Sequence, residues 1–316
     1  MSASPTLPTR WTTRQRLKNN LIFLGIRGLW ALISASPQFL QTSVCRLLAS
    51  LAYRLAKREV QLSRQHLSMA FPELKAKGIE SLTKEMFEHF GESVAELINL
   101  DESVADCLNA PENKAAFDLL RESLGEGLGV IVVSGHIGNW ELMAQAFSAA
   151  GFPVSSVAKP TYDPRLTALV DEFRGRNGMK TLWRGQTEIF KAILRVFQDR
   201  ETFGILIDQD TKVPGDFVPF FGELAFTPTA AATLHRHTGA PVLVGCHHRS
   251  PEGPRIKLTR VEPQTAVDDP SFDRDFTAQL TMHLEQAIRE EPAQWVWLHR
   301  RWRTRPVAST ENLGKN

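Results

Sequence analysis

One stretch limits what this chain can fold into more than any other: Val130-Ile-Val-Val-Ser-Gly-His-Ile-Gly-Asn-Trp-Glu141. Residues 130–133 are apolar and β-branched, the pattern of a strand buried on both faces. Strands of that kind belong to sheets covered by helices on each side. Ser134-Gly-His-Ile-Gly-Asn139 is then small, polar and glycine-punctuated, and residues 140–150 are rich in helix formers, with Met143, Phe147 and Ala150 spaced for one face. The reading is strand, tight turn, helix, with Asn139 as N-cap and Glu141 in the first helical turn.

The alternation continues downstream. Strands are expected at 154–158, 181–183, 202–207, 242–246, 256–261 and 295–298, and the pair around Pro251-Glu-Gly253 reads as a hairpin. Helices are expected at 165–176, 188–198, 229–237 and 272–289, and upstream at 58–72, 80–100 and 116–124. This pattern predicts an α/β fold with a mostly parallel or mixed central sheet flanked by helices, preceded by an N-terminal amphipathic helical region. Three segments follow: 1–57, basic and membrane-associating; 58–306, the main domain; and 307–316, a tail.

His136 and Glu141 are five residues apart. On one continuous helix that spacing turns the two side chains about 140° from each other. Glycines at 135 and 138 allow the backbone to curl so that imidazole and carboxylate converge. A carboxylate on one ring nitrogen fixes the tautomer and raises basicity, leaving the other nitrogen to take a proton from a hydroxyl. The plain alternative is a turn histidine satisfied by a carbonyl, with Glu141 favouring the helix dipole. Position favours chemistry, because α/β folds place their sites at strand ends.

Charge is polarised along the chain. No acid precedes Glu59, and nine basic residues do. That leaves 28 of the 37 basic residues to face all 35 acidic ones. A basic end of this kind suits an anionic surface. Residues 21–35 are the most apolar segment, shorter than the roughly 20 residues a span needs and interrupted by Arg27. A helix lying in the membrane interface fits better than one that merely packs on the domain, and better than a span or a signal peptide; residues 40–53 add a second amphipathic stretch. The three cysteines form neither a disulfide framework nor a metal motif, which points to a reducing compartment. His235, His237, His247 and His248 match no zinc spacing, so no metal is expected.

Polar residues recur at strand ends: His136, Lys159, Arg184, Asp208 and His299. Asp208 and Asp210 follow a buried strand and could hold an Arg, a metal or the backbone of the Phe-rich loop; a structural ion pair with a basic site residue is favoured over direct catalysis. Phe217, Phe220 and Phe221 either line a channel or fill the core, and core is the commoner fate. Arg174, Arg176 and Arg184 offer planar donor forks for phosphate or a developing oxyanion. The closing string Trp295-Val-Trp-Leu-His-Arg-Arg-Trp-Arg-Thr-Arg-Pro306 mixes bases and aromatics, but its tryptophans read as strand and the domain is acidic, which argues against nucleic acid.

Four blocks carry a resemblance. The string at 134–141 is similar to the His-x4-Asp/Glu motif of the lysophospholipid acyltransferase superfamily. In its Gly-His-x-Gly-Asn-Trp-Glu form it resembles the bacterial lipid A late acyltransferases, the lauroyl and myristoyl transferases. Residues 58–72 resemble that family's Arg-x4-Asn-Leu-x3-Phe-Pro segment, with His66 in place of the usual Asn. Gly204 to Asp210, with Phe217 to Gly222 and Thr227-Pro-Thr229, resembles its Asp-Gln-Asp…Val-x-Phe-Phe-Gly block, and 295–306 resembles its closing motif.

The resemblance implies an enzyme that moves a fatty acyl group from acyl carrier protein, or acyl-CoA, to a hydroxyl of a glycolipid such as a lipid A precursor. It implies no cofactor, and a place on the cytoplasmic face of the bacterial inner membrane, peripheral or N-terminally anchored. His136 is then the base and Glu141 its orienting acid, with oxyanion donors near Gly138 and Asn139 or on a nearby Arg. Asn139, Lys159, Arg176, Arg184, Asp208, Asp210, Arg301 and Arg303 are the candidate substrate-binding residues. The alternatives are another phospho- or glycolipid acceptor, or a non-enzymatic basic membrane-surface protein. A serine hydrolase is disfavoured because no Gly-x-Ser-x-Gly elbow is present.

Overall fold

The computed structural model describes residues 11–306. The Ser/Pro/Thr-rich start and the tail after 306 lie outside the described residues. Six helices come first: Thr13–Ser34 (α1), Gln38–Leu55 (α2), Lys57–Ala70 (α3), Ala76–Ile98 (α4), Leu100–Asn109 (α5) and Lys114–Gly125 (α6). Alternation then begins with Val130–Ser134 (β1), Trp140–Ala149 (α7), Val154–Ala158 (β2), Pro164–Gly175 (α8), Lys180–Trp183 (β3), Ile189–Gln198 (α9) and Thr202–Leu206 (β4). The chain closes with Gly215–Phe220 (β5), Glu223–Pro228 (β6), Ala230–Thr238 (α10), Val242–Ser250 (β7), Gly253–Arg260 (β8) and Phe272–Glu290 (α11).

The main sheet has the order β3-β2-β4-β1-β7-β8. Its first five strands are parallel, and β8 returns antiparallel to β7, making the sheet mixed and mostly parallel. β1 is central and fully buried. Its side chains alternate between two cores: Ile131 and Val133 pack with α3, α4, α9, α10 and α11, and Val130 and Val132 with α5, α6 and α7. The run at 130–133 is uninterrupted in hydrophobicity because both faces are covered.

Strand order positions the site. β1 and β4 are parallel neighbours, and Ser134 is paired with Leu206 at their carboxyl ends. His136 and Asp208 each lie two residues beyond that pair, so register alone brings the two loops side by side. The turn after β1 is held on both sides. The Gly138 N–H donates to the Gln294 carbonyl at 2.7 Å, and the Val296 N–H to the His136 carbonyl at 3.1 Å. Gly138 has φ +56°, and a Cβ there would sit 1.9 Å from the His247 carbonyl oxygen, so glycine is required.

Two segments depart from the sequence expectation. The Phe-rich stretch is a separate antiparallel hairpin, β5–β6. Residues 295–298 form no strand; only Trp295 bridges to Ile137. Helix α5 was not expected either. Along α4, Phe87 is buried and Phe90 is exposed.

Phe220 and Phe221 are core residues. The Phe220 ring centroid lies 4.9, 5.6 and 5.7 Å from those of Phe221, Trp295 and Trp302, with the Arg301 guanidinium 5.0 Å away. Phe220→Ala should therefore cost about 3–5 kcal/mol and lower Tm by several degrees in thermal unfolding. A Tm within a degree of the parent's would put the ring on a channel wall instead.

Candidate active site

Asp208 is the anchor. Its carboxylate is fully buried and accepts three N–H groups: the His136 backbone at 2.7 Å, His136 Nδ1 at 2.8 Å and Trp295 Nε1 at 2.8 Å. Burial alone pushes the carboxyl up. The charge and donors of His136, with His299 nearby, outweigh it and hold Asp208 well below the usual carboxylate range. An ionised Asp208 on Nδ1 fixes the proton there and leaves His136 Nε2 as the acceptor. Gly135 makes room, since a Cβ at that position would come within 3.1 Å of the carboxylate.

Two rings flank His136: Trp140 at 4.6 Å and His299 at 4.8 Å between centroids. The Gln209 amide nitrogen lies 3.1 Å from His136 Nε2 and 2.8 Å from His299 Nε2. His299 is pushed down to about 4 by burial, with Asp208 pulling it up and His136 and Arg301 pulling it down.

Glu141 occupies a different place from the one its spacing to His136 suggests. The helix starts at Trp140, so Glu141 rotates away with the first turn. It takes Arg174 in a two-pronged pair, Nε–Oε1 2.8 Å and Nη2–Oε2 2.7 Å, and makes no hydrogen bond to His136. Arg174 reaches on to Ser156 and Thr181 hydroxyls. The pair forms part of the wall of a cavity of about 70 Å³ between α7 and the sheet, lined also by Ser134, Trp140, Met143, Phe147 and Met179. That is roughly the volume of two waters, so a longer guest requires α7 or its neighbours to move outward.

The remaining expected residues separate into three groups. Asn139 caps α7, its Oδ1 accepting from the Leu142 N–H at 3.1 Å, and is buried. Its Nδ2 donates to Ser93 and Glu96, its N–H to His247 Nδ1, and Arg249 pairs with the same Glu96. Arg301 is also fully buried, donating to the Phe226 carbonyl and Thr227 Oγ1, with burial drawing it down to about 10. Neither faces solvent, although both were candidates for binding substrate. Lys159, Arg176 and Arg303 are exposed, and Arg184 is half-buried. Asp210 accepts from Arg303 Nη2 at 2.9 Å and the Thr304 N–H at 2.7 Å. These residues, with Lys212 and Phe226, edge an open cleft of about 760 Å³.

Sequence reasoning passed over Gln209 and Trp295 as site residues and did not pair Asp208 with His136. The signal was the strand order, which no local pattern encodes. Among the described residues, His136, Asp208 and His299 bring ligand atoms within 4.8 Å of one another. An ion there would have to displace N–H donors that Asp208 already accepts.

The family model for bacterial lipid A biosynthesis acyltransferases matches residues 8–304. The chain is 26% identical over 296 residues to the lipid A biosynthesis lauroyltransferase of Escherichia coli strain K12, covering 90% of this chain and 92% of that protein. It is 25% identical over 299 residues to the lipid A biosynthesis palmitoleoyltransferase of the same organism, covering 91% and 92%. It is also 25% identical over 283 residues to the phosphatidylinositol mannoside acyltransferase of Mycolicibacterium smegmatis, covering 88% and 90%.

Three imidazoles here resist protonation. Burial lowers His247, helped by Arg249 and His248, and brings His248 and His299 to about 4. Between about pH 6.5 and 4 the unfolded chain binds protons that the folded chain refuses. Stability is therefore full above that window and falls as pH drops through it. Urea unfolding should give a lower free energy at pH 5 than at pH 7.5; equal values would contradict the burial of these rings.

Proposed function

The chain belongs to the bacterial lipid A biosynthesis acyltransferase family, and on that premise we propose that it moves a fatty acyl chain from a thioester to a hydroxyl of a glycolipid, a lipid A precursor being the leading acceptor. The donor in this reading is acyl carrier protein, with acyl-CoA as the alternative. The observation that carries it is His136 held by buried Asp208 at the carboxyl ends of β1 and β4.

The chemistry balances without a covalent enzyme intermediate. His136 Nε2 takes the acceptor O–H proton as the oxygen attacks the thioester carbonyl carbon. The C=O pair moves onto oxygen. It returns as the C–S bond breaks, and the thiolate leaves with the proton from His136. Asp208 stays ionised and offsets the imidazolium charge.

The acyl chain is assigned to the cavity behind Trp140, with Glu141 and Arg174 as a positioning pair in its wall. We assign phosphate groups of the acceptor to the open cleft at Arg303 and Lys212, with Lys159, Arg176 and Arg184 as further basic contacts. A second acceptor class, another phospho- or glycolipid, is favoured by the mannoside acyltransferase among the relatives.

A membrane seat is supported by α1 and α2, which expose Leu21, Leu24, Leu32, Phe39, Leu47 and Leu55 within the acid-free basic segment. Among the described residues, no helix is long and apolar enough to cross a membrane. Interfacial docking on anionic lipid is the proposed attachment.

His136→Ala and Asp208→Asn should each lower kcat for acyl transfer, measured per folded molecule, by at least about 100-fold, with a fall in Tm from disturbing the buried Asp208 cluster; folded variants as active as the parent would refute the assignment. Deleting residues 1–36 should move the protein from the membrane pellet to the soluble fraction. Continued tight retention would count against the anchor.

A further inference from the structure

The turn amides where the sequence placed oxyanion donors, at Gly138 and Asn139, are already committed. The Gly138 N–H is on the Gln294 carbonyl, and the Asn139 N–H is on His247 Nδ1. Asn139 Nδ2 is held by Ser93 and Glu96. An oxyanion forming above His136 needs a donor elsewhere, because an unsolvated negative charge without one is prohibitively costly.

Gln209 has the required position. Its Nε2 lies 3.3 Å from His136 Nδ1 and 3.1 Å from His136 Nε2. A group almost equidistant from both nitrogens of an imidazole cannot lie on an in-plane lone pair of either. It lies over the ring face. The same holds at His299, at 3.2 and 2.8 Å. The in-plane lone pair of His136 Nε2 therefore stays open for the acceptor hydroxyl, and a primary amide N–H waits on the side of the ring. A hydroxyl held in the ring plane at hydrogen-bond length would be about 4 Å from the Gln209 nitrogen. A carbonyl oxygen on the carbon being attacked bridges that gap.

Resting on the acyl-transfer reading above, we propose that Gln209 is a catalytic residue, its side-chain amide donating to the oxyanion formed when the acceptor hydroxyl adds to the thioester. In the addition step the hydroxyl proton goes to His136 Nε2, the new C–O bond forms, and the carbonyl π pair becomes the oxyanion on Gln209 Nε2–H. In the collapse step that pair re-forms C=O, the C–S bond breaks and the thiolate is protonated by His136. His299 braces the amide in place, and Asp208, next in sequence, is fixed by its three donors, so Gln209 projects from a rigid base. That rigidity is what makes a donor effective before the charge appears.

The test uses the purified full chain on mixed vesicles containing a phosphorylated glycolipid acceptor, with dodecanoyl acyl carrier protein as donor and His136→Ala as the dead control. Gln209→Met keeps the length of the side chain and removes the donor. It should lower kcat about 100- to 1000-fold, change the donor KM less than threefold, leave Tm unaltered, and leave the acid limb of the kcat/KM profile where it is in the parent. Gln209→Glu, which puts an acceptor in the donor's place, should be no better. A Gln209→Met kcat within fivefold of an active parent overturns the proposal and hands the oxyanion to the first-turn amides of α7. A loss of kcat accompanied by a shifted acid limb overturns it too, since the amide would then be tuning the base. A parent with no transfer at all, indistinguishable from His136→Ala, removes the acyl-transfer reading together with this one.

Discussion

A buried carboxylate without partners is among the least tolerable groups in a protein interior, and Asp208 sits with none of its side chain exposed. It persists because His136 and Trp295 supply three N–H donors from two separate segments. That one requirement explains several others. β4 has to lie beside β1 for the loops to meet. Gly135 has to lack a side chain so that the carboxylate can approach. The closing segment has to fold back far enough to bring the Trp295 indole onto Asp208, which it does through the bridge from Trp295 to Ile137. The Trp-rich ending is thus tied into the site rather than appended to it.

Around that anchor other side chains pack on His136. Trp140 lies against the ring and also lines the small cavity that Glu141 and Arg174 help to wall. Gln209 and His299 lie against the ring as well. Away from the site, α1 and α2 leave several leucines exposed.

Much of the architecture was legible because local rules fix it. The β-branched run at 130–133, the Asn139 cap and the 154–158 strand follow from periodicity and capping chemistry, and β1, α7 and β2 appear where those rules put them. The partner of His136 was not legible, because it depends on which strand lies next to β1. Glu141 is nearer in sequence, but helical rotation turns it toward Arg174, while Asp208, seventy-two positions away, arrives by register. Arg301 misled for a related reason: a basic string looks like surface, yet Thr227 and the Phe226 carbonyl bury this arginine completely. Trp295 to Leu298 carries the composition of a strand, but with only Ile137 opposite Trp295 it stays a single bridge.

The central claim is that Asp208, not Glu141, holds the imidazole of His136. Nitrogen-15 NMR of the histidine rings reads this directly. The proton of neutral His136 should sit on Nδ1 in the parent, stay there in Glu141→Gln and be lost from Nδ1 in Asp208→Asn. A His136 tautomer unaffected by Asp208→Asn but disturbed by Glu141→Gln would contradict it.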